Sequence, residues 1–143
     1  MFSKFFKISW LMKKYFKITY ALLLVVACAG CKKDFPVDDD GLLITSRAEC
    51  YVSNFELLGT DYVTVRTKAA LIDTTAQTIR VEVLFGTDLK NLYPQFTLVT
   101  DAVLEPKITG KVDFSNLASP KVYTVVSGNR KVRKPYTIYV TVQ

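Results

Sequence analysis

The residues whose types could do chemistry fall into four groups: the carboxylates Asp88, Asp101, Glu105 and Asp113; the acidic run Asp38-Asp39-Asp40-Gly41; the basic run Arg130, Lys131, Arg133, Lys134; and the tyrosines Tyr62, Tyr93 and Tyr139. Paired carboxylates could serve as acid and base on a glycosidic bond. Each of these four, however, sits in or beside a predicted turn, where a carboxylate commonly satisfies backbone N–H groups. The chain contains no histidine, which removes imidazole-based triads and dyads and the HExxH metal site. The acidic run is similar to part of a calcium loop, but aligning Gly41 with the loop glycine puts Pro36 and Arg47 at the first and last ligand positions, where acidic ligands are required. It reads as a solvated acidic tether. No catalytic residue, metal site or cofactor is therefore expected, and the chain is read as non-enzymatic.

The remaining two groups suggest binding. Arg130, Lys131, Arg133 and Lys134 lie on the last predicted hairpin. They could meet an anionic glycan or lipid head groups, or simply blunt a strand edge against aggregation. Tyr62, Tyr93 and Tyr139 fall at strand ends or on a predicted outward face. There they could stack on sugars or pack across strands with no ligand. Cys50 has no histidine to activate it and is expected to be a small buried hydrophobe.

Two further cysteines close an apolar block. Lys13, Lys14 and Lys17 precede the run Ile18 to Ala27, and Cys28-Ala29-Gly30-Cys31 follows. A positive segment, a short apolar run and small residues at the cut are the pattern of a lipoprotein signal peptide. From Ile18 to Gly30 is about thirteen residues, short of the roughly 20 that a helix needs to cross a bilayer. Cleavage before Cys31, with acylation of its thiol, is the favoured frame; Val25-Val26-Ala27-Cys28 makes Cys28 the alternative. Met12 opens a compact positive segment of its own and is favoured over Met1 as the start.

Removing residues 1–30 changes the electrostatics. Of nineteen basic residues, Lys4, Lys7, Lys13, Lys14 and Lys17 lie in that segment, leaving fourteen against thirteen acidic ones. The overall charge of +6 thus falls to about +1, without the footprint of a nucleic-acid binder. Trp10 is lost as well.

The elements that must position these groups are strands. Residues 31–46 read as the acylated cysteine and a flexible tether with an extended limit on the order of 50 Å, within which Leu42-Leu43-Ile44 could pack as a first edge strand. From residue 47 to 143 the apolar pattern has period two. Strands are predicted over 50–57, 62–67, 69–72, 78–84, 95–100, 103–106, 121–126 and 135–142. Ile79, Val81, Val83, Phe96, Tyr136, Ile138, Val140 and Val142 point inward, with Arg80 and Glu82 outward. Asp73 to Gln77 and Ser127 to Arg130 are predicted hairpin turns, with Gly and Asn supplying positive φ. The stretch from Gly86 to Pro94 crosses between sheets. The fold class is all-β: an immunoglobulin-like, two-sheet antiparallel sandwich of about seven strands.

Several segments carry a family resemblance: Thr78-Ile79-Arg80-Val81-Glu82-Val83, Gly86 to Pro94, Asp113-Phe114-Ser115, Val122-Tyr123-Thr124-Val125-Val126 and Tyr136-Thr137-Ile138-Tyr139-Val140. They resemble the Ig-like modules of uncharacterised function in Bacteroidetes surface lipoproteins, and Cys31-Lys32-Lys33-Asp34 with Asp38-Asp39-Asp40 resembles the start of such lipoproteins. The resemblance covers roughly residues 50 to 143. It implies a lipid-anchored protein of the outer membrane, facing the exterior. The function expected is a binding or structural module for a protein partner, with carbohydrate binding in a glycan-utilisation system as the alternative. The membrane, through the anchor, and a protein or glycan are the expected partners; nucleic acid is not.

Overall fold

Period-two alternation turns into seven strands in a computed structural model that describes residues 35–143. The expectations for residues 1–34, including Cys28, Cys31 and the start at Met12, lie outside the described residues. The strands are β1 (Val52–Leu58), β2 (Leu71–Asp73), β3 (Thr78–Val83), β4 (Tyr93–Leu98), β5 (Val103–Glu105), β6 (Lys121–Val126) and β7 (Arg133–Val142). No helix occurs among the described residues. β1 and β4 form one sheet; the other has the order β2-β3-β7-β6-β5.

The two sheets close on one core. Phe55 and Leu57 of β1 meet Ile79, Val81 and Val83 of β3, Tyr123 and Val125 of β6, and Tyr136 and Ile138 of β7, all buried. Phe96 bridges the sheets, its ring centroid 4.8 Å from Phe55 and 5.3 Å from Tyr123. Burial of apolar surface at about 25 cal/mol per Å² is the main stabilising contribution. Cys50 is buried too, its Sγ 3.0 Å from the Val125 carbonyl, and burial raises its thiol pKa. It is a small buried core residue, as expected of a cysteine with no histidine in the chain to activate it.

Most of the expected strands form, with informative departures. β3 and β7 pair in parallel, Thr78 opposite Thr137 through Val83 opposite Val142, so the sandwich is mixed rather than wholly antiparallel. A parallel neighbour requires a long crossover, and the chain supplies it by leaving after β3 for β4 and returning through β5 and β6. The strand expected over 62–67 is replaced by isolated bridges, Leu58 with Thr64 and Arg66 with Val83. This segment switches sheets: Val65 N donates to Leu57 O at 3.0 Å, and Leu84 N to Val65 O at 2.9 Å. Arg66 is drawn to Glu56 and the Phe55 carbonyl, which ends the alternation. Val142, expected inward, is 40 % exposed because β7 runs out past the core; Phe96 and Val140 are half-buried. Glu82, expected outward, is half-buried beside Lys68.

The turns form where expected but with other residues in the left-handed region. Gln77 has φ 56° and Arg130 φ 60°. Gly128 has no positive φ; it is small because a Cβ there would strike Thr45 Oγ1 and lie 2.9 Å from Asp101 Cβ. That contact reveals the largest departure. Residues 35–46 are not a free tether but belong to the compact unit 35–143. Val37 bridges Leu43, and Thr45 N donates to Gly128 O at 2.9 Å. Leu43 does pair, but with Val37 rather than with a sheet edge.

Registers and hydrogen bonds together define two ends. At the basal end lie residues 35–47, the start of β1, Asp101 and the β6–β7 turn, linked by Asn129 N to Arg47 O at 2.8 Å and by the Arg47–Asp101 ion pair at 3.2 Å. The far end carries the end of β1, the start of β4, and Val83 to Gly86 beside Val142 and Gln143. β1 spans them, about 20 Å at 3.3 Å per residue.

Candidate functional site

Tyr62 and Tyr93 meet at the far end. Tyr93 opens β4 opposite Leu58, the last residue of β1. Gly59 N donates to Val63 O at 2.9 Å and Tyr62 N to Gly59 O at 3.0 Å, folding the chain back after β1. At the apex Tyr62 has φ 59°, an uncommon conformation for a bulky residue. The result is a stack: ring centroids 4.8 Å apart, planes inclined by 22°, hydroxyls 3.4 Å apart. The hydrogen bond that the Tyr62 hydroxyl donates to Tyr93, with the charge Tyr93 carries once ionised, holds the Tyr62 phenol above its usual pKa. Lys111 Nζ lies 5.9 Å from the Tyr93 ring centroid, brought there by the Leu92–Val112 bridge.

Tyr62 is 65 % exposed while Tyr93 is half-buried, so the pair is a supported platform. One aromatic face is open, with two hydroxyls and an ammonium group at its margin. Such a surface accepts an apolar ring face with polar substituents at its edge.

Tyr139 lies elsewhere, on the outer face of β7. The Arg80 guanidinium sits 5.4 Å from its ring centroid. Together they border a shallow hollow of about 240 Å³ with Lys68, Leu71 and Thr141. The three tyrosines singled out in the sequence thus divide into a pair and a single residue on another surface.

The basic run is also divided. Arg130 points into the basal end, its Nε 2.9 Å from Asp38 Oδ2 and its Nη1 3.0 Å from Ser127 O and 3.3 Å from Gly128 O. It is a clamp between the β6–β7 turn and the segment 35–46. Arg133 at the start of β7 pairs with Glu105 of β5 across the intervening β6. Lys131 is exposed and Lys134 half-buried, so the four charges do not form one free anionic-ligand surface. The approach of Lys111 to Tyr93, of Arg80 to Tyr139 and of Asp38 to Arg130 escapes sequence reading, because only strand pairing and the clamp create it.

The candidate carboxylates are engaged locally. Asp88 accepts from Asn91 Nδ2 at 2.8 Å and Lys90 N at 3.1 Å, and Asp113 accepts from Ser115 N at 2.8 Å. Those bonds, with that of Asn91 foremost for Asp88 and that of the Ser115 side chain for Asp113, hold both pKa values below the usual aspartate value. Asp101 and Glu105 face Arg47 and Arg133. Among the described residues no cluster of three or more His, Cys, Asp or Glu could hold a metal ion.

Known proteins give this geometry a setting. Residues 60–141, which include the tyrosine pair, match the protein family described as "SGBP, N-terminal". Among solved structures, a proposed glycoside hydrolase from Bacteroides thetaiotaomicron is 31 % identical with a TM-score of 0.56, over 67 % of this chain and 26 % of that one. A DUF4623 family protein from Bacteroides eggerthii shares the fold at 18 % identity and a TM-score of 0.51, over 66 % of this chain and 22 % of that one. The chain therefore spans about a quarter of the length of either. No curated protein sequence matches it.

Proposed function

The chain belongs to the SGBP, N-terminal family, a glycan-binding-related family of Bacteroidetes, and on that premise we propose that it is a non-enzymatic, lipid-anchored module that contacts glycan through Tyr62 and Tyr93. Its relation to glycan utilisation at the cell surface follows from the family. Acylation at Cys31, placement in the outer membrane and the sugar contact are the finer parts of the proposal. The observation that carries it is the exposed face of Tyr62, stacked on Tyr93 with Lys111 beside it. Support from Tyr93 means that little side-chain freedom is lost when a sugar ring docks.

A glycan array probed with the purified chain tests the reading. Binding should be weakened about tenfold or more by Tyr62→Ala, the loss expected of an aromatic anchor, and unchanged by Tyr139→Ala. Absence of any glycan signal, or equal binding by Tyr62→Ala, would count against it.

A protein partner is the second reading, favoured by one observation at the same end. Phe85 is 86 % exposed and Leu84 47 %, at a turn closed by Thr87 N to Leu84 O at 3.2 Å. Co-purification from membranes with wild-type chain, lost with Phe85→Ser, would support that reading over the first.

A further inference from the structure

The basal segment is a small amphipathic hairpin. Val37 and Leu43 pair across it, which places their side chains together on one face, and alternation puts Phe35 on that face as well. Phe35 is 64 % exposed, Val37 57 % and Leu43 47 %. The charges lie on the opposite side: Asp38, Asp39 and Asp40 line a hollow of about 430 Å³ together with Lys107, Arg130 and Arg133. Phe35, Val37 and Leu43 take no part in that lining. Arg130 fixes the hairpin to the body of the domain through Asp38, so the apolar face is held rigidly outward.

We propose that the apolar face formed by Phe35, Val37 and Leu43 is a membrane seat, resting in the lipid–water interface beside the acylated cysteine. The proposal rests on the Cys31 anchor given above. Only Lys32, Lys33 and Asp34 separate Cys31 from Phe35, a reach of about 14 Å at most. An acyl chain at Cys31 thus keeps the apolar face within the interfacial zone, where burial by about 5–10 Å removes such side chains from water. Asp39 and Asp40, on the hollow side, are not pressed into lipid. The seat also sets orientation: the basal end faces the bilayer, and Tyr62, Tyr93 and Phe85 are held at the opposite end, about 20 Å of β1 further out.

Trp10 precedes Cys31 and is the sole tryptophan of the sequence, so a tryptophan introduced into the processed chain is a unique reporter. Phe35→Trp and Phe85→Trp variants are extracted from membranes as full acylated chains. They are then reconstituted into phosphatidylethanolamine–phosphatidylglycerol vesicles doped with doxyl-labelled phosphatidylcholine. Fluorescence of Phe35→Trp should be quenched about twofold or more beyond that of Phe85→Trp, the difference expected between interfacial and aqueous positions. Equal quenching with diacylglyceryl present on Cys31 by intact mass would overturn the seat and leave the anchor standing. Loss of quenching with cross-linking between copies through position 35 would overturn it in favour of a second copy of the chain. Absence of acyl mass at Cys31 would overturn anchor and seat together.

Discussion

Arg130 and Asp38 lie 92 residues apart in the chain, yet Nε of the guanidinium is 2.9 Å from Oδ2 of the carboxylate, with both side chains about four-fifths buried. Asp38 Oδ1 meanwhile accepts from Leu42 N at 2.8 Å and Asp40 N at 3.1 Å. One carboxylate therefore closes its own turn and ties that turn to the last hairpin.

Arg130→Ala should release this hairpin without unfolding the sandwich. Hydrogen bonds from a charged donor, such as those of Arg130 to Ser127 O and Gly128 O, typically contribute about 1.5–3 kcal/mol. Limited proteolysis should cut within residues 35–46 much faster in the variant, with a smaller fall in melting temperature. Unchanged cleavage would show that the clamp does not hold the segment.

Gly128 and Gly110 make a matched pair. Neither has a positive φ; a Cβ at Gly128 meets Thr45, Asp101 and Arg47, whereas one at Gly110 meets nothing within 4 Å. Gly128→Ala should cost about 1–3 kcal/mol by overpacking, and Gly110→Ala should stabilise by about 0.4–1 kcal/mol through the unfolded chain. Chemical denaturation of both variants checks the contrast, which disappears if the segment 35–47 does not pack against the β6–β7 turn.

In the core, Ile138→Ala removes a side chain that is 1 % exposed and should cost about 2–5 kcal/mol. Glu82→Ala breaks an ion pair with Lys68, whose side chain is 73 % exposed, and should cost less than about 1 kcal/mol. Similar urea midpoints would contradict the register of β3 on β7.

Acid should unfold the domain through its turns. The pKa of Asp38 is lowered chiefly by the Leu42 N–H and then by Arg130, that of Asp73 by the N–H groups of Ala76 and Thr75, and that of Asp88 by Asn91, each from the usual 3.8. A depressed folded pKa contributes stability above the unfolded value, and this is lost as pH falls through the folded value. With no histidine in the chain, urea midpoints should be flat from about pH 5 to 7 and fall below about pH 4. Asp73→Asn should make that fall shallower; an equally steep fall would argue that the β2–β3 turn does not depend on its carboxylate.

The tyrosine platform has its own titration. Because Tyr62 donates its hydroxyl proton to Tyr93, its pKa lies above the usual 10, and ultraviolet titration should place the Tyr62 phenolate among the late transitions, with those of the buried Tyr123 and Tyr136. Tyr93→Phe should return Tyr62 toward its ordinary value. An identical Tyr62 transition in the two proteins would mean the rings are not hydrogen-bonded in solution.

Period-two alternation by itself determined the strands and most of the core. Ile79, Val81, Val83, Tyr136 and Ile138 are buried as their spacing requires, since a strand places alternate side chains on one face whatever it pairs with. Local carboxylate chemistry was equally legible: Asp73, Asp88 and Asp113 bond N–H groups within three residues. What tertiary structure alone decided are relationships between residues far apart in the chain. The parallel pairing of β3 with β7 depends on the intervening crossover, not on either strand's pattern. The alternation in residues 62–67 did not become a strand, because Arg66 turned to Glu56 and Val65 was shared between Leu57 and Leu84. Arg130 read as a free surface charge because its partner, Asp38, lies 92 residues away. Tyr62, Tyr93 and Tyr139 were alike as exposed aromatics, and only the meeting of the end of β1 with the start of β4 made two of them a platform. Charge and aromatic character are properties of single residues, whereas a site requires their side chains to converge, and that convergence is set by strand order and register.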